Sequence, residues 1–338
     1  MTNLLLLVAL STPLLQQPPS AWILYYAGNP YQGRSAYTVQ DCVRLVAVVD
    51  TSGRPTGWLS NGGLFLQILA TSGRGLFPRA GSGPAVGADW AQYIDSLLAP
   101  GGALARLDSA VSLVQQQVGP LGKPYDVVLM IPYPDQAAGS FNFQGMNYDM
   151  HVAARRGDLA LAYTRLVQSR FRSAHYHHLA LLGFYWFRED IQPADSAVVV
   201  AAAAGIHADK LRLFWIPYFR AASRDSWKQF GFDAAWLQPN YFFHREVAAV
   251  RMDSAVTEAS TNGLGLEIEF DKRLLQSPLF RDRLEPYLSA LETNPALVSR
   301  GLAVYEGAGA LIELSRGKEM WQRALYARFV AVMTGHPE

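Results

Sequence analysis

The residues in this chain that most resemble a chemical device are the acids of one short stretch, Gly263 to Asp271, GLGLEIEFD. Glu267, Glu269 and Asp271 alternate there with Leu266, Ile268 and Phe270. In an extended chain a period of two puts the acids on one face and the aliphatic groups on the other. That pattern suits the wall of a closed parallel barrel, with the apolar face under outer helices and the acidic face toward the interior or the mouth. The plainer alternative is an acidic edge strand facing water. Ionised carboxylates inside a barrel are costly unless paired, hydrogen-bonded or partly solvated, so the rest of the chain must decide.

Other kinds of chemistry find little support. The single cysteine, Cys42, rules out an intramolecular disulfide and a thiolate metal cluster. No nucleophile-elbow serine and no pair of histidines at helical metal spacing is present. His175, His177 and His178 precede a strand and fall at the stability face of a barrel, whereas His151 follows one and could reach the mouth. No metal and no cofactor is expected. With 29 basic against 28 acidic residues and no block of like charge, nothing points to nucleic acid. The 8 Trp, 16 Tyr and 16 Phe would furnish either a sugar-stacking cleft or a large core.

The elements that must position the acids read as strands alternating with helices. Strands are expected at 22–28, 64–70, 125–133, 179–190, 211–219, 234–243, 263–271 and 301–306. The fully apolar YDVVLMIPY run is typical of a strand buried on both faces. Helices are expected from Thr38 as cap to Val46, and at 88–98, 104–118, 158–171, 194–204, 224–230, 246–261, 278–292 and 320–333. The long loop TSGRGLFPRAGSGP after the second strand is expected to be functional or mobile. An open doubly wound sheet would advertise a glycine-rich phosphate loop after an early strand, and none is present. The expectation is an α/β fold, a single-domain (β/α)8 barrel over 22–338. Residues 1–21 are a leader: the apolar run Leu4–Leu15 followed by QQPPSAW reads as an export signal, despite an N-terminus without Lys or Arg. The protein is then expected outside the cytoplasm, secreted or periplasmic, with no membrane-spanning segment once the signal is removed.

In such a barrel the working residues sit at the C-terminal ends of strands. Those ends carry Tyr25, Tyr26 and Asn29; Tyr133; Tyr185, Trp186, Arg188 and Glu189; Trp215 and Tyr218; Trp236, Gln238, Asn240 and Tyr241; Glu267, Glu269 and Asp271; Tyr305 and Glu306. Carboxylates among aromatics suit glycosidic bond cleavage, which needs a protonated acid for the leaving oxygen and a second carboxylate across the sugar. Glu189 ends the fourth strand and Glu269 lies on the seventh, opposite it across a barrel mouth. Glu189 is the expected acid, Glu269 the nucleophile or base, and Glu267 the competitor for that second role. Tyr25, Tyr133, Tyr185, Trp186, Trp215, Tyr218, Trp236, Gln238, Asn240, Tyr241, Asp271, Tyr305 and Glu306 are candidates for binding a carbohydrate substrate, with the aromatics as stacking platforms and Gln238 and Asn240 as hydroxyl ligands. A non-catalytic glycan-binding barrel and a metal-assisted hydrolase or lyase are the competing readings.

The placement of these two acids resembles that of the large clan of retaining glycoside hydrolases on TIM barrels. That clan usually has Asn before the acid/base, where this chain has Arg188. The ordered set GFYWFRED, LFWIPYFRA, FDAAWLQPNYFF, GLGLEIEFD and AVYEGAGAL is similar to a bacterial family of exported TIM barrels known as domain of unknown function 4855. The resemblance implies the barrel fold and a relation to glycoside hydrolases.

Overall fold

The computed structural model describes residues 21–26, 36–307 and 309–335, so residues 1–20 of the expected leader and Asn29 lie outside the described residues, while Ala21 already belongs to the first strand. Eight parallel strands close into a barrel: β1 (Ala21–Tyr26), β2 (Gly62–Leu66), β3 (Tyr125–Ile131), β4 (Leu179–Trp186), β5 (Arg212–Trp215), β6 (Ala234–Leu237), β7 (Gly265–Asp271) and β8 (Leu302–Gly307). β1 closes the ring by pairing with both β2 and β8. Each strand expected from the sequence is present, and the α/β barrel architecture is the expected one. β5 and β6 stop short of Pro217 and Pro239, which have no N–H to donate to a ladder.

Between and around the strands run α1 (Val39–Val46), α2 (Gly87–Leu98), α3 (Ala103–Val118), α4 (Ala153–Ser173), α5 (Pro193–Ala208), α6 (Val250–Asn262), α7 (Arg273–Gln276), α8 (Pro278–Thr293), α9 (Pro295–Val298), α10 (Ala310–Ser315) and α11 (Met320–Thr334). Thr38 caps α1 as expected: its hydroxyl accepts from Asp41 N–H while the Asp41 carboxylate accepts from Thr38 N–H. The helix expected over 224–230 is only a 3-10 turn, Trp227–Phe230, ended by Gly231 in the left-handed region. Its anchor is the Trp227 indole N–H, which donates to Asn262 O. Two hairpins outside the barrel, Ala47–Val49 with Pro55–Trp58 and Ser140–Phe143 with Met146–Asp149, were not expected. The second packs Phe141 and Phe143 against Trp90 of α2.

The lower barrel is plugged by aromatic rings. Trp22 meets Phe214 at 4.5 Å and Trp236 at 4.8 Å between centroids. Glycine at the neighbouring positions makes room: a Cβ on Gly62 would sit 2.6 Å from the Trp22 ring, and one on Gly265 would collide with Trp236. Water and ligand are thus kept from the N-terminal half, and any chemistry belongs above this layer.

Candidate active site

The alternation of β7 has the direction its pattern predicts. Leu266, Ile268 and Phe270 are fully buried on the side of the helices. Glu267 and Glu269 share the opposite face, in register with Ala303 and Tyr305 of β8. Glu269 is held in place: its Oε2 accepts the Tyr287 hydroxyl at 2.8 Å and the Asn240 backbone N–H at 2.7 Å. Burial pushes its carboxyl up to about 7, with these hydrogen bonds pulling the other way. Glu267 lies one layer deeper and is 2% exposed. Burial raises it well above the ordinary range, and the charges of Glu269 and Glu189 raise it further.

Glu189 sits on the turn three residues past the end of β4. Gln238 Nε2–H donates to its Oε1 at 3.0 Å, and burial pushes the carboxyl up to about 7. The segment Gln238-Pro239-Asn240, directly after β6, braces both acids. Asn240 Nδ2–H donates to Gln238 Oε1 at 3.1 Å while the Asn240 backbone N–H holds Glu269. Asn240 adopts a left-handed φ of 50°, uncommon without glycine, and its Oδ1 is fixed by Phe219 N–H at 2.9 Å.

The turn carrying Glu189 is itself anchored. Arg188 binds Asp190 at 2.5 Å, Asp195 at 3.0 Å and the Tyr133 hydroxyl at 2.7 Å. Asp195, in the first turn of α5, also pairs with Arg156 of α4 at 2.7 Å, both side chains being 1% exposed. The Arg188 carbonyl accepts the Trp215 indole N–H at 2.8 Å. Where the resembling clan has Asn, Arg188 ties the turn to a buried ion network.

The structure brings only part of the expected set to the mouth. Glu189, Glu267, Glu269, Gln238, Asn240 and Tyr185 gather there; burial first, then the nearby carboxylates of Glu189 and Glu267, hold the Tyr185 hydroxyl well above the usual phenol range. The backbone of half-buried Tyr218 pairs with that of Gln238 at the adjacent strand end, and the half-buried Tyr305 ring meets Tyr26 at 5.4 Å. Asp271 ends the acidic face of β7 but is tied to Arg273 at 3.0 Å. Tyr133 lies beside the mouth on the Arg188–Asp195 network.

Others are elsewhere. Tyr25 faces outward and stacks on Phe65 at 4.7 Å. Trp215 stacks on Phe232 at 5.2 Å, Trp186 is buried edge-on to Tyr133, and Trp236 belongs to the aromatic plug. Tyr241 is covered by the Arg283 guanidinium, 3.8 Å from its ring centroid, and contributes its backbone N–H to the Tyr287 hydroxyl. Glu306 points to the helix shell, where it accepts Leu311 N–H of α10 at 3.1 Å and the Tyr37 hydroxyl at 3.4 Å. Tyr287 was not foreseen; in PYLSALE it reads as one more core residue of a helix. Among the described residues no group of three or more His, Cys, Asp or Glu could hold a metal ion.

The site therefore offers two carboxyl groups poised near neutrality, each oriented by hydrogen bonds and joined through one rigid segment. Such a pair can deliver a proton from one member while the other acts as nucleophile or base.

The profile of the family described as Domain of unknown function (DUF4855) matches residues 21–331. The chain belongs to that family. No curated protein matches its sequence. Among solved structures it is similar to a candidate alpha-L-fucosidase from Bacteroides thetaiotaomicron, with 9% identity, a TM-score of 0.48 and coverage of 98% of this chain and 99% of the other. It is also similar to the GH18 chitinase ChiB of Flavobacterium johnsoniae, with 11% identity, a TM-score of 0.42 and coverage of 92% and 94%.

Proposed function

We propose that this barrel hydrolyses glycosidic bonds of an oligosaccharide or polysaccharide, with Glu189 as general acid and Glu269 as nucleophile or base. The observation that carries this reading is the joint bracing of Glu189 and Glu269 by Gln238-Pro239-Asn240, with both carboxyls pushed up to about 7. Glu189 gives its proton to the glycosidic oxygen as the bond to the anomeric carbon breaks. Glu269 either attacks that carbon to form a glycosyl ester, which water later cleaves as it gives a proton back to Glu189, or takes a proton from the attacking water. In both routes one water is consumed, its hydroxyl ending on the anomeric carbon. Glu267 stays protonated beneath Glu269, so the two do not carry like charge side by side. Tyr26, Tyr185 and Tyr305 supply aromatic surface around the carboxylates. The apolar N-terminal stretch fits an exported protein that meets its glycan outside the cytoplasm.

The test is a screen of purified glycans with the wild-type protein, Glu189→Gln and Glu269→Gln. The expected result is cleavage by the wild type and a loss of about a thousandfold in each variant. Full activity in either variant would remove that residue from the mechanism. Binding of a glycan by the wild type without turnover would instead favour a carbohydrate-binding barrel.

A further inference from the structure

Against the turn that carries Glu189, over the ends of β3 and β4, lies a cleft of about 500 Å3 that the mechanism above does not use. One wall is the turn that carries Glu189, through Arg188 and Gln192; the facing wall is Pro78–Ala80 of the long loop after β2, with Gln136 between them. The loop is built to stand there. Tyr133 N–H donates to Leu76 O at 2.9 Å, Gly75 N–H to Gly83 O at 2.8 Å, and a side chain on Gly81, at φ 62°, would collide with Gly73 O. A row of touching rings runs from the mouth to the edge of the cleft: Tyr185 meets Phe187 at 6.0 Å, and Phe187 meets Phe77 at 5.0 Å, next to Pro78 in the cleft wall.

The cleft lies on the Glu189 side of the mouth, away from β7. From that position we infer that it is the subsite for the leaving-group side of the glycan, the part of the substrate that Glu189 protonates and releases. This rests on the proposed hydrolase reading and adds the direction in which the chain of sugars lies. Its size suits a ligand of one to a few rings, within the roughly 300–1,000 Å3 of small-molecule sites. The floor is balanced in charge, because Asp195 is taken by Arg156, Arg188 and Tyr133. The polar groups of the rim include the exposed Arg79 and the half-buried Gln136, with Asp135 and Gln192 beside them.

The experiment compares two substrates sharing one glycone: an oligosaccharide, and the glycosyl fluoride, whose leaving group is a single atom too small to reach the cleft. The α- and β-fluorides of the common hexoses and matching oligosaccharides form the panel. For Arg79→Ala and Gln136→Ala the expected result is a drop of about tenfold in kcat/KM on the oligosaccharide, the scale of one hydrogen bond to a charged or polar group, with the fluoride unchanged within about twofold. Equal losses on both substrates, or no loss on either, would overturn the subsite while leaving the hydrolase reading intact. If the wild type cleaves no member of the panel, the hydrolase reading fails and the subsite with it.

Discussion

At the scale of single residues, the two glutamates of β7 differ in what they touch. Glu269 receives two donors, whereas Glu267 is set against burial and two like charges. A carboxyl raised in the folded state favours folding only while it is protonated in both states. Stability is thus fully present below the ordinary glutamate value and is lost as pH climbs toward the folded one. Glu267→Gln is accordingly expected to leave the melting temperature unchanged at pH 4 and raise it by a few degrees at pH 8, measured by calorimetry. With Glu189 and Glu269 both near 7, activity should follow a narrow bell centred close to neutrality. Below it Glu269 gains a proton, and above it Glu189 loses the one it must give. Tyr287→Phe removes a donor that favours ionised Glu269, so the acidic limb of kcat/KM is expected to move to higher pH, with a loss of about tenfold at the optimum. Glu267 and Glu269 were legible because alternation is a local property of the chain. Tyr287 was not, since its partner is eighteen residues away on another element and its own surroundings are those of a helix stripe.

At the scale of elements, the ends of strands were readable but the side chain's direction at each end was not. Tyr25 and Tyr26 are neighbours of one type, yet Tyr25 stacks outward on Phe65 while Tyr26 meets Tyr305 at the mouth. Trp186, Trp215 and Glu306 share the fate of Tyr25, because each lies one position out of phase with the inward-facing residue of its strand. Trp236 is in phase but a layer too low, a depth that only the closed barrel and Gly265 define. A methyl group at that glycine has no free space, so Gly265→Ala is expected to cost about 1–3 kcal/mol by chemical denaturation. The turn of Glu189 depends on a network spanning α4, α5 and β4. Arg156→Met leaves Asp195 buried with only Arg188 and Tyr133, and is expected to cost about 3–5 kcal/mol in the same assay.

At the scale of the whole molecule, the barrel came from the rhythm of eight apolar runs, each answered by a strand in the closed sheet. What the rhythm could not contain are the insertions: the hairpin at 140–149 and the folded loop after β2, whose contacts join residues far apart in the chain. The aromatic plug below and the braced acids above give the barrel one working end. The central claim is that Glu189 and Glu269 divide the labour across that end. It is tested most directly by comparing a glycosyl fluoride, which needs no protonation to depart, with an oligosaccharide of the same glycone. Glu269→Gln is predicted to lose both activities, while Glu189→Gln loses the oligosaccharide and keeps most of kcat/KM on the fluoride, which reports the bond-breaking step alone. Retention of the oligosaccharide rate by Glu189→Gln, or of either rate by Glu269→Gln, would contradict the assignment.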